Sequence, residues 1–123
     1  MLDRSLVTII DDDESVRESL PDLVREFGFA VQAYASAEGF LASGYVDQTR
    51  CLILDVAMPG MSGTDLQQQL RASGWMIPIV FITAHGEGDV RLRLIEQGAV
   101  ECLLKPFSDT ALFNAINAAL QRY

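Results

Sequence analysis

Four short apolar runs and one alternating run, all of strand length, are set between segments of helical periodicity, and that alternation restricts the chain more than any single motif. The runs lie at about Ser5–Asp11, Ala30–Tyr34, Cys51–Asp55, Ile79–Thr83 and Val100–Lys105. Between them, helices are predicted from about Glu14 to Phe27, from Ser36 to near Ser43-Gly44, from Thr64 to Gly74, and around Val90, Leu94 and Ile95 up to Gly98. A last helix follows Ser108, with Leu112, Ala115, Ile116, Ala119 and Leu120 on one face. A strand followed by a helix, repeated along one chain, has one economical solution. The strands pair in parallel and the helices cover both faces, giving an α/β three-layer sandwich with a five-stranded, doubly wound parallel sheet.

Such sheets bind ligands outside the carboxyl ends of their strands. Four of the runs end there in reactive groups. Ile9-Ile10 leads into Asp11-Asp12-Asp13, Leu54 into Asp55, Ile82 into Thr83 and Leu104 into Lys105. Carboxylates brought together repel one another, and a hard divalent cation with oxygen ligands, Mg²⁺ or Mn²⁺, relieves the repulsion. A run of Asp after a strand is equally a helix cap and turn, and Asp12 or Asp13 suits that role because its oxygen accepts a free first-turn amide. A strand-end carboxylate is also a nucleophile for phosphoryl groups, with Lys105 as point charge and Thr83 as hydroxyl donor.

Composition narrows the partners. With 17 acidic and 9 basic residues the 123-residue chain carries −8, which disfavours direct nucleic acid binding. No apolar run approaches the roughly 20 residues of a membrane span. The start of the chain does not read as a signal peptide, so a cytoplasmic location is expected. Residues 1–123 are expected to form a single domain. Cys51 and Cys102 lie in apolar runs without metal-ligand spacing and are expected to be buried, reduced thiols. Pro21 inside the first helix predicts a kink. Trp75 is expected at the sheet edge opposite the acidic cluster.

The sequence resembles the receiver domain of bacterial two-component response regulators over essentially its whole length. The resemblance rests on Ile9-Ile10-Asp11-Asp12-Asp13, Leu54-Asp55, the breaker-rich turn from Met58 to Gly63, Ile82-Thr83-Ala84, Gly98-Ala99 and Lys105-Pro106-Phe107. The Thr-Ala-His-Gly loop and the Gly-Ala-Val-Glu stretch look most like receivers of the FixJ/NarL type. It implies a flavodoxin-like fold and a phosphorylation-activated switch, with Asp55 taking the phosphoryl group from a sensor histidine kinase. Asp12, Asp55 and the Ala57 backbone carbonyl would bind Mg²⁺, with Asp11 helping through water. Thr83 and Lys105 would hold the phosphoryl oxygens, and the Lys105–Pro106 bond would be cis. It also implies output through the surface of the fourth helix, fifth strand and fifth helix, and leaves room for a phosphorylation-dependent homodimer. Receivers of this type are commonly followed by a DNA-binding helix-turn-helix domain. The 123 residues contain no such segment, so the chain reads as a stand-alone receiver or as a piece of a transcription regulator, the second being expected by analogy with the family.

Some positions depart from the family pattern. Where the family carries Tyr or Phe, three residues before the lysine, this chain has Cys102, which has no ring to move inward on activation. Rearrangement of Thr83 to Gly88 would then lean on Gly86 and Gly88. His85 and Ala57 occupy positions that flank the route of hydrolytic water in receivers. A phosphohydrolase with an aspartate nucleophile would need a second Asp at position 57 as general acid, and Ala57 counts against it. A receiver that only docks would not need Asp11, Asp12, Asp55, Thr83 and Lys105 together. The expected activity is therefore confined to the domain's own phosphorylation and dephosphorylation.

Overall fold

The computed structural model describes residues 4–84 and 89–122. Its strands are β1 (Leu6–Ile10), β2 (Ala30–Tyr34), β3 (Thr49–Asp55), β4 (Ile79–Thr83) and β5 (Glu101–Leu104). The helices are α1 (Glu14–Glu26), α2 (Ala37–Leu41), α3 (Gly63–Ala72), α4 (Val90–Glu96) and α5 (Asp109–Leu120). All strand pairs are parallel, in the order β2-β1-β3-β4-β5.

Each strand sends alternate residues to opposite faces, and where both faces are covered, as in β4, the run is almost wholly apolar. Cys51, Ile53, Val80 and Ile82 pack with Leu20 and Val24 of α1 and Leu112 and Ile116 of α5. Leu52, Leu54, Ile79 and Phe81 pack on the other face with Phe40 of α2, Leu66 and Leu70 of α3 and Leu94 of α4. The two cores hold the sheet between two helical layers, as the alternation requires.

Helix starts follow local capping. Asp13 caps α1 by accepting the Ser15 amide, resolving the choice between Asp12 and Asp13. Ser36 and Ser108 cap α2 and α5. Ser62 caps α3 in a reciprocal box with Asp65, so the helix begins at Gly63, one residue before the expected start. α1 runs on through Pro21, which is buried.

Boundaries moved where tertiary contacts intervene. β3 begins at Thr49 because its hydroxyl meets that of Thr8 in the core, at 2.8 Å. The loop expected over residues 45–50 contains a one-turn 3₁₀ helix at Val46–Gln48. β5 is shorter than its apolar run, leaving out Val100 and Lys105. Among the described residues no helix is long and apolar enough to cross a membrane.

Candidate phosphoryl and metal site

The order of the sheet determines which residues meet. The chain leaves β1 for β2 on one side and returns to β3 on the other, so the crevice opens between the carboxyl ends of β1 and β3. Asp11 follows β1 and Asp55 ends β3. Carboxylate oxygens of Asp11, Asp12 and Asp55 all lie within 4.8 Å of one another. Asp11 is fully buried, Asp55 nearly so, and Asp12 is exposed.

Lys105 follows β5 and reaches across to this cluster, its Nζ donating to Asp11 Oδ2 at 2.8 Å. Its own amide donates to the Thr83 carbonyl at 2.8 Å, which brings the ends of β4 and β5 level. Thr83 is buried at the end of β4. The Lys105–Pro106 peptide is cis. Ala57 is exposed in the loop after β3. Cys102 lies deeper than the site edge, buried opposite Phe81 in the core shared with Leu94 and Ala99. Both cysteines are free thiols. His85, Gly86 and Gly88 lie outside the described residues.

Charge is unbalanced in this crevice. Burial pushes the Asp55 carboxyl up to about 7, and the Asp11 charge adds to that against the pull of Lys105. Hydrogen bonding with Asp11 and Asp12 acts in the same direction as burial. Burial works against the Lys105 ammonium, yet the bond to Asp11 and the charges of Asp55, Asp11 and Asp13 hold its pKa above the ordinary value. Asp13 is held below the carboxylate range by Ser15, whose hydroxyl and amide both donate to it. A hard cation fits this donor set: clustered oxygens, one of them open to water, and a buried carboxyl that prefers a proton when nothing else compensates it.

Three further residues shape the site. Gly63 begins α3 so close to β3 that a Cβ there would be driven into the Asp55 carbonyl oxygen. Its amide donates to the Val56 carbonyl at 2.9 Å, closing the loop that carries Ala57. Glu38 of α2 accepts the Met61 amide at 3.2 Å and steadies the same loop. Arg17 of α1 donates to the Asp11 carbonyl at 3.0 Å. Gly63 stood in the breaker-rich turn without a distinct role. Nothing in the spacing of Arg17 or Glu38 signals their contacts, which are made only when α1 and α2 settle beside the strand ends.

Comparison with known proteins places these features in a family. The model of the response regulator receiver domain matches residues 7–117. Over 122 residues the chain is 46% identical to the response regulator protein TodT of Pseudomonas putida, covering 98% of this chain and 54% of the relative. It is 44% identical to nodulation protein W of Bradyrhizobium diazoefficiens, covering 97% of this chain and 52% of that one. The chain thus spans about half the length of the curated relatives it matches. Among solved structures, the response regulator StyR superposes with a TM-score of 0.88 at 48% identity, over 97% of this chain and 60% of that one. FixJ-N superposes at 0.86 and 38% identity, over 100% of this chain and 98% of that one. The chain belongs to the response regulator receiver domain family of two-component systems, whose general role is that of a phosphorylation switch.

Proposed function

We propose that Asp55 is the phospho-acceptor of this domain and that a sensor histidine kinase is the donor. The convergence of Asp11, Asp12 and Asp55 within 4.8 Å, beside Lys105, carries this reading. An Asp55 oxygen attacks the phosphorus of a phosphohistidine, the O–P bond forming in line as the N–P bond breaks and imidazole leaves. The attacking carboxylate must be ionised, and a group poised at about 7 is ionised in only part of the molecules near neutrality. Asp11, Asp12, Asp55 and the Ala57 carbonyl would hold Mg²⁺ or Mn²⁺, which would keep Asp55 ionised and neutralise charge on the phosphoryl oxygens. Lys105 exchanges its bond to Asp11 for a phosphoryl oxygen, and Thr83 donates its hydroxyl to another. Ala57 supplies no general acid, which supports chemistry confined to the domain's own phosphorylation and dephosphorylation.

An apolar cleft of about 390 Å³, lined by Leu20, Leu23, Lys105 and Phe107 among others, opens beside the lysine and suits the arrival of a donor domain. The output surface is α4, β5 and α5, where Leu92, Leu104 and Phe113 are exposed. With Cys102 in the core in place of a mobile ring, displacement of α4 transmits the signal. A homodimer formed on phosphorylation, an effect on transcription through a further domain, and action in the cytoplasm complete the proposal.

Intact mass after incubation with acetyl phosphate and Mg²⁺ tests it. The parent is expected to gain one phosphoryl group, and neither Asp55→Asn nor the metal-free parent is expected to gain any. An adduct on Asp55→Asn, or none on a parent that also fails to bind beryllofluoride, would overturn it.

A further inference from the structure

Asp11 is gripped at every oxygen it has. Its Oδ2 accepts from Lys105 Nζ at 2.8 Å, its Oδ1 from the Asp13 amide at 2.9 Å, and its carbonyl from Arg17 Nη1 at 3.0 Å. The first grip is temporary under the reaction proposed above, because Lys105 must turn to the phosphoryl group. That leaves two anchors, of which the Asp13 amide belongs to the same turn and cannot hold the turn against α1. Arg17 can. It sits in the first turns of α1, where its own amide bonds to the Asp13 carbonyl at 3.2 Å. Side chains on a helix lean toward its N-terminus, so the guanidinium reaches back over the turn to Asp11, the residue that opens it.

We infer that Arg17 is a positioning residue for the cation site, locking the β1–α1 turn so that the Asp11 and Asp12 carboxylates face Asp55. The inference rests on the metal-dependent reading above. Its sign makes it distinctive. A guanidinium beside a cation site repels the cation, so if Arg17 contributed charge alone, removing it would tighten Mg²⁺ binding. If it holds the turn, removing it weakens binding in spite of the relieved repulsion. Residues that orient metal ligands from behind typically change affinity about 10-fold or more when removed.

The test is a Mg²⁺ titration followed by backbone amide shifts, on the full chain and on Arg17→Gln, Arg17→Ala and Arg17→Lys. Amide exchange at Asp13 is measured on each without metal. Arg17→Gln and Arg17→Ala are expected to weaken Mg²⁺ about 10-fold and to speed exchange at Asp13. Arg17→Lys keeps the charge but loses the planar fork, and is expected to bind more weakly than the parent. Tighter or unchanged binding in Arg17→Gln, or parent-like binding in Arg17→Lys with weakening in Arg17→Gln, would overturn the inference. A parent that fails to bind Mg²⁺ would sink the reading it rests on. Asp13 exchange would then still decide whether Arg17 holds the turn, since unchanged exchange refutes that without reference to metal.

Discussion

Replacing Asp55 by Asn should make the metal-free domain more stable, and the gain should depend on pH. Asp55 is almost completely buried, and its pKa rises from the ordinary 3.8 to about 7 in the folded state. The folded protein therefore holds a proton that the unfolded chain has already released. Stability attached to this group is complete below the unfolded value and is lost as pH rises through about 7. Each pH unit between the unfolded and folded values corresponds to about 1.4 kcal/mol, so their separation sets a ceiling of about 4 kcal/mol by about pH 8. At about pH 5.5 roughly half of that cost has developed. Asn keeps the shape and cannot ionise. Urea unfolding followed by circular dichroism, with EDTA present, should show Asp55→Asn more stable than the parent by about 2–4 kcal/mol at about pH 8. The gap should narrow by about 2 kcal/mol at about pH 5.5. Mg²⁺ should then stabilise the parent more than the variant, because a ligand raises stability according to its binding to the folded state. A gap of the same size at both pH values, or a variant no more stable than the parent at the higher one, would refute the electrostatic account of this crevice.

Three other perturbations follow from the packing. Gly63→Ala places a Cβ against the Asp55 carbonyl, whose strand is fixed from both sides; denaturation should show a loss of about 3 kcal/mol, in the range typical of overpacking, together with a lower phosphorylation rate. Asp13→Ala removes the α1 cap and should cost about 1 kcal/mol by the same measurement. Burial holds the Cys51 thiol up at about 12 and raises that of Cys102, so neither should react with a disulfide reagent at neutral pH until guanidinium is added. Rapid native labelling of either would show that the core opens more readily than its packing implies.

Much of the fold was legible because burial on both faces of a parallel sheet writes itself into sequence as continuous apolar runs. Boundaries were less legible. Thr49 is polar by composition and reads as loop, yet it belongs to β3 because Thr8 satisfies its hydroxyl from the neighbouring strand. Val100 and Lys105 read as strand, and their amides still donate to the Ile79 and Thr83 carbonyls of β4, but β5 itself runs only from Glu101 to Leu104. The cap of α1 was narrowed to two residues, and the geometry of the Ser15 amide chose Asp13.

The sequence by itself determined the alternation of elements and the chemistry at the strand ends, because both are local: periodicity, turn residues and side-chain type are properties of neighbouring positions. It also carried the net charge of −8, from which the expectation about nucleic acid was drawn. Tertiary structure decided the rest. The strand order makes Asp11 and Asp55 neighbours although they lie 44 positions apart, and the depth of their burial sets the proton affinity of Asp55. Helix packing alone brings Arg17 to the Asp11 carbonyl, Glu38 to the loop after β3 and Gly63 against Asp55. The first and last of these span only six and eight residues and the second spans 23, yet each needs a helix seated against the ends of the strands.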